Sequence, residues 1–199
     1  MAKYRRDLPQ LSSSDVLLSD SGMETDLIFH EGFDLPLFAS FTMLDDTAGT
    51  EALRHYYRRH IQVARDAHVG FVLEAATWRA SIVWARQLGF DETAVADVNR
   101  RAIDLMVTLR DEAGEMQGPM VISGLIGPRD DAYYPADLMS ADVAEGYHAA
   151  QIETLGGTEA DLVTALTLTY AAEAIGIARA ARRAQMPVVI SFTSSNLPP

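Results

Sequence analysis

The 199-residue sequence contains no cysteine. That absence removes disulfides, thiolate metal sites and a cysteine nucleophile from the chemistry available within this chain. Positive charge is also scarce: 16 Lys and Arg stand against 28 Asp and Glu, a formal net charge of −12. Such a chain repels phosphate backbones and anionic bilayers, so neither nucleic acid nor membrane is an expected partner. No apolar run approaches the roughly 20 residues of a membrane span. Lys3, Arg5 and Arg6 open the chain without the apolar stretch that follows such residues in a secretory signal, and a cytoplasmic location is expected. Low-complexity linkers and long charge blocks are missing, so no internal boundary divides residues 16–199, with residues 1–15 reading as an N-terminal extension. Nucleotide fingerprints are missing as well. No Gly-Lys-Ser/Thr follows Gly22, and the loop at 122–135 lacks the G-x-G-x-x-G spacing. His55 and His60 are five apart and do not share a helix face as an H-E-x-x-H pair would, while His30, His68 and His148 are isolated.

What is present is a repeated strand-like unit in a chain that is 48% hydrophobic, enough to bury one sizeable core. Five apolar runs stand out: VLLSDSG (16–22), FVLEAAT (71–77), MVISGLIGP (120–128), DLVTALTLT (161–169) and PVVISFT (187–193). Each is rich in Val, Leu or Ile without clean alternation, as strands buried on both faces of a parallel sheet are. Each ends in small or polar residues. Between them lie helical patterns. Leu53, Tyr57, Ile61, Ala64 and His68 form one stripe and Val95, Val98, Ala102, Leu105 and Leu109 another, with a short helix predicted over 79–88. Val143, Tyr147, Ala150 and Thr154 make a third stripe after an N-cap at Ser140, and an alanine-rich helix over 171–185 ends before Pro187. The order predicts an α/β fold with a parallel sheet. A doubly wound five-stranded sheet, complete at this length, is favoured by pattern alone over a (β/α)8 barrel lacking three units. Both architectures place ligands at the C-terminal ends of the strands.

Those ends hold the candidate chemistry. Asp20 could bind an ammonium group while Gly22 permits close backbone approach; the alternative is a tight strand exit with Asp20 as a cap. Glu74 is a carboxylate in an otherwise apolar strand, costly unless paired with a cation; a structural salt bridge explains it equally well. Thr77, Trp78 and Arg79 follow at the same strand exit, Trp78 reading as core. The loop ISGLIGPRDDAYYP is long enough to wall a site, although its Arg129, Asp130 and Asp131 run reads as solvated. A nucleotide or phosphate binder remains an alternative on these grounds.

Taken together, LLSDSGMETDL, TWRAS, VISGLIGPRDDAYYPADLMSADVAEGYHAAQI, ADLVTALTLTYAAEAIGIARAA and MPVVISFT resemble, in order and over nearly the whole chain, the homocysteine S-methyltransferase family. That family includes betaine-dependent enzymes and the homocysteine domain of methionine synthase. The resemblance implies a (β/α)8 barrel of the TIM type, here about five of eight units, in place of the doubly wound sheet. It also implies zinc held by three cysteines, which favours the thiolate of homocysteine for attack on the methyl of an onium or methylfolate donor. Asp20 and Gly22 match the Asp-Gly motif that cradles the amino-acid end of homocysteine, with Ser21 where many members have glycine. Thr77 matches a Thr-Tyr-x-Ala-Ser threonine, and Ser123 and Thr167 fall at the mouths of the third and fourth strands. Many members carry a Glu-Thr pair on the fourth strand, where this chain has Leu166-Thr167, leaving Glu74 or Glu173 to supply the carboxylate. The zinc cysteines lie beyond the fifth strand in the family, so the chain is expected to be truncated before them, NLPP being a shortened remnant. It should then lack methyl transfer alone, or pair its open barrel edges with another copy as a non-catalytic assembly protein.

Overall fold

The computed structural model describes residues 1–133 and 135–193. Five strands fall where the apolar runs were: β1 Leu17–Ser19, β2 Gly70–Glu74, β3 Met120–Ile126, β4 Leu162–Leu168 and β5 Val188–Phe192. They are joined through helices α1 Pro9–Ser12, α2 Met23–Phe29, α3 Thr47–Asp66, α4 Ile82–Gln87, α5 Glu92–Ala113, α6 Ala141–Gly156 and α7 Ala171–Arg183. All neighbouring strands pair in parallel, in the order β1-β2-β3-β4-β5. This order corrects the architecture that pattern alone favours. A flavodoxin-like sheet runs 2-1-3-4-5, reversing direction once and placing helices on both faces. Here each crossover advances one strand in the same direction. Right-handed crossovers then put the helices on one side, as around a TIM barrel, and the described residues form five of its eight units.

Alternation along each strand separates two layers. Outward-facing Leu18, Phe71, Leu73, Met120, Ile122, Val163 and Ala165 join the helix stripes in the main core. Leu53, Ile103 and Leu109 are fully buried there, each stabilising by about 1.5–3 kcal/mol. Inward-facing Leu17, Val72, Val121 and Leu162 form a smaller cluster, sealed from below by Tyr4 and Leu8 of the N-terminal segment. The Arg5 guanidinium fastens that segment, donating from Nη1 to the Gly156 carbonyl at 2.8 Å, from Nη2 to Thr158 at 2.9 Å and from Nε to Ala160 at 3.0 Å. The Tyr4 amide donates to Asp161, whose other oxygen accepts from Ile122 N at 2.9 Å. One end of the arc thus has an apolar floor. At the other end the inner face turns polar.

Asp46, Asp91 and Ser140 cap α3, α5 and α6, accepting from Gly49, Ala94 and Val143 amides. The α3 and α5 stripes are buried as read, except that His68 lies past the end of α3, exposed at positive φ. The α6 stripe is corrected. Val143 is 55% exposed, and Ala144, His148, Gln151, Ile152 and Leu155 face inward. The polar pair is tolerated because His148 Nε2 meets Glu173 at 3.0 Å and Gln151 Nε2 donates to the Thr77 carbonyl at 3.0 Å. Apolar periodicity cannot find a buried face built partly from satisfied polar groups. It also left α2 and the 3-10 turns within 36–45 unforeseen. The NLPP tail lies outside the described residues.

Candidate functional site

At the polar end, the mouths of β1 to β4 surround a cavity of about 530 Å3. Asp20 follows β1. Gly22, at φ +65°, then turns the chain into α2, a backbone conformation that side-chain-bearing residues adopt at a cost. The Tyr56 hydroxyl from α3 stands 3.0 Å from Asp20 Oδ2 and 3.1 Å from the Ser21 carbonyl. Asp20 Oδ1 is buried with no partner among the described residues. Burial pushes the Asp20 carboxyl up to about 6, against the opposing pull of Tyr56 and His60. From α2, Glu24 enters the same cavity and accepts from Ser40 Oγ at 2.7 Å.

Glu74 ends β2. Its carboxyl is pushed up to about 7, first by burial and further by Asp20, despite hydrogen bonds from Ser123 and Thr164. Ser123 Oγ and Thr164 Oγ1 are 2.8 Å apart, so these hydroxyls form a buried shelf beneath the carboxylate. Glu74 Oε2 has no partner among the described residues. Two adjacent strand mouths therefore each present a buried, unsatisfied carboxylate oxygen.

The exit of β2 is stiffened by Thr77, whose Oγ1 donates to the Leu125 carbonyl at 2.8 Å and accepts from the Leu125 amide at 2.9 Å. Helix α4 starts at Ile82, so Arg79 belongs to this exit and faces the cavity, not to the helix predicted over 79–88. Its guanidinium carbon lies 3.4 Å from the Trp84 ring centroid and 4.4 Å from that of Trp78. Trp84 Nε1 donates to the Pro128 carbonyl at 3.3 Å, and Trp78 Nε1 donates to Thr167 Oγ1 at 3.2 Å. Gly127 makes this possible: a Cβ there would stand 2.4 Å from the Trp78 carbonyl. Arg79 is 7% exposed, and its Nε and Nη1 have no partner among the described residues.

On β4, a register irregularity between Ala165 and Leu168 places Thr167 at φ +60°. A β-branched residue in that region stores on the order of 1–3 kcal/mol of strain, a state concentrated at ligand sites. Leu166 lines the cavity beside it. Glu173 does not. It is buried against His148 and accepts from the Arg129 amide at 2.8 Å.

Of the six residues singled out from sequence, Asp20, Gly22, Glu74 and Thr167 line the cavity. Thr77 and Ser123 are fully buried behind it and fix the wall. Sequence reasoning missed Glu24, placed Arg79 at the β2 exit without a role, and read Trp78 as core and Asp131 as solvated, yet all four line the cavity. The signal for Arg79 was available in the spacing of TWRASIVW, which brackets one arginine with both tryptophans of the chain. The walls offer several carboxylates and one guanidinium, a lining suited to a ligand carrying both a cationic and an anionic group. A thiolate zinc site does not fit these residues: cysteine is absent, and no group of three His, Cys, Asp or Glu side chains among the described residues could hold a metal. Among those residues, no helix is long and apolar enough to cross a membrane.

A search of curated proteins gave no significant match. Two solved structures of Escherichia coli homocysteine methyltransferase MmuM share the fold at TM-scores of 0.75 and 22% identity. The oxidized form is matched over 92% of this chain and 64% of its own, and the metallated form over 94% and 66%. This chain therefore spans slightly less than two thirds of the length of MmuM. The homocysteine S-methyltransferase family model matches residues 17–198, a range that takes in all five strands and every residue of the cavity. The chain belongs to the homocysteine S-methyltransferase family.

Proposed function

We propose that this chain binds the amino-acid portion of a homocysteine-like substrate, with Asp20 and Glu74 accepting its ammonium group. The observation that carries this reading is the pair of buried carboxylate oxygens, Asp20 Oδ1 and Glu74 Oε2, left without partners at neighbouring strand mouths. An ammonium between them would meet both and offset the burial and the Asp20 repulsion that together raise Glu74. Glu74 then supplies the carboxylate that Leu166 does not. Ser123 and Thr164 orient it, while Gly22 and Thr167 shape the mouth. In this reading the pocket is the acceptor side of a methyl transfer from an onium or methylfolate donor, forming a methionine-type product.

Activating a thiol through zinc thiolates is beyond this chain, which lacks cysteine. Purified chain given L-homocysteine and S-methylmethionine is expected to form no methionine, while calorimetry with L-homocysteine shows binding. Asp20→Asn and Glu74→Gln should each weaken that binding roughly 10- to 100-fold, the worth of a charge-assisted hydrogen bond. Unchanged affinity in both variants would overturn the assignment.

A second reading has its own observation. On β5, Val189 and Phe192 are 44% and 56% exposed, and among the described residues this strand pairs on one side only, with β4. Such an edge can recruit another copy of the chain. Light scattering tests it: a compact monomer across the concentration range would remove self-association through this edge.

A further inference from the structure

We propose that Arg79 determines ligand specificity in this pocket, donating hydrogen bonds to the carboxylate of an α-amino acid from a guanidinium held between Trp78 and Trp84. The inference rests on the amino-acid reading given above and names the partner of the ligand's opposite end.

Three observations carry it. The first is orientation: ring centroids at 3.4 Å and 4.4 Å fix the guanidinium in place, and both rings are anchored, one to Thr167 and one to Pro128. A cation immobilised before ligand arrives loses little further freedom on binding. The second is incompleteness. Aromatic faces stabilise the charge but cannot accept the in-plane N–H groups, and Nε and Nη1 are buried without partners among the described residues. Buried donors in that state favour any acceptor that enters the cavity. The third is charge. Among the described residues lining the cavity, Arg79 is the one cationic side chain beside Asp20, Glu24, Glu74 and Asp131, so a ligand carboxylate finds its counter-charge at the guanidinium. Burial lowers the pKa of the Arg79 guanidinium from its ordinary value, and Asp131 and Glu24 oppose that through space. A zwitterionic α-amino acid matches both poles at once. Lysine would replace arginine only in part, keeping the charge but lacking the planar donor set and the stacking surface.

Trp78 and Trp84 are the two tryptophans of the chain, so intrinsic fluorescence reports directly on the Arg79 environment. The full chain is titrated at about pH 8, where the raised carboxyls are ionised. The probes are L-methionine and 3-(methylthio)propylamine, the same molecule without its carboxylate. L-Methionine is expected to bind roughly 10- to 100-fold more tightly and to shift tryptophan emission, while the amine leaves the emission unchanged. Arg79→Gln should bring methionine down to the affinity of the amine and leave the amine within about threefold, with Arg79→Lys in between.

A folded Arg79→Gln variant that binds methionine as tightly as the unaltered chain would overturn the proposal, as would equal loss of both ligands. Should that variant not fold, the two ligands compared on the unaltered chain decide, and equal affinities would refute the role of Arg79 alone. If the unaltered chain binds neither compound, the amino-acid reading falls and this inference falls with it.

Discussion

Glu74 illustrates how a single residue trades fold stability against ligand affinity. Its folded pKa is raised from an ordinary 4.5 to about 7, so between those values the folded chain holds a proton that the unfolded chain has released. Unfavourable burial of the charge is fully present above about pH 7 and is gone below about 4.5. The contribution of Glu74 to stability therefore improves as pH falls through this window, and Asp20 acts likewise between 3.8 and about 6. Ligand binding runs the opposite way, since an ammonium needs both carboxylates ionised. Two outcomes follow for the unliganded chain and its complex. Glu74→Gln should raise the melting temperature at about pH 8 by roughly 3–8 °C, corresponding to about 1–3 kcal/mol, with the gain vanishing near pH 4. Affinity for L-homocysteine should fall at least tenfold between about pH 8 and pH 5.5; a flat calorimetric profile would remove the carboxylates from the site. At this scale the sequence was legible where chemistry clashes with context, as with a carboxylate inside an apolar strand. Arg79 was legible only in its position at the β2 exit; its role was not, because the Trp84 ring that holds its guanidinium comes from α4 and meets it only in the folded chain.

Among the elements, the exit of β3 packs directly on the exit of β2. Gly127 allows the contact, and Gly127→Ala would force a Cβ to within 2.4 Å of the Trp78 carbonyl. Backbone must move in response. The expected result is a loss of about 1–3 kcal/mol in denaturant titration, with a change in tryptophan emission as the stacked pair is displaced. Helix α5 offers a simpler case. Asp91→Ala deletes the acceptor for Ala94 N at 2.8 Å and should cost about 1 kcal/mol without touching ligand affinity. Strands and most helices could be read from the sequence because apolar runs and stripes record burial directly. The inner face of α6 could not, since His148 and Gln151 owe their burial to partners on α7 and at the β2 exit, and such partners are distant in sequence.

For the molecule as a whole, what sequence pattern left open was the order of strands. Barrel and doubly wound sheets share the same alternation of strand and helix, and they differ only in the direction of each crossover, which no local residue specifies. The observed sequential order has a further result: every strand pair joins chain neighbours. The apolar floor is the exception, because Tyr4 and Arg5 bond to residues 156–161 across more than 150 positions. Arg5→Ala removes four donor contacts to backbone carbonyls and should lower stability by about 1–3 kcal/mol, read as a shifted urea midpoint.

That tether also bears on the sequence of events in folding. Each successive strand can add to the growing edge as soon as it is made, because its partner is the strand before it. Residues 4–8 have no such neighbour. Tyr4, Arg5 and Leu8 find their places only once β4 and the turn before it exist, so this segment is expected to be among the last parts to settle. In a refolding experiment the tether would report late, after the sheet has formed. Arg5→Ala should then accelerate unfolding while leaving the rate of sheet formation nearly unchanged.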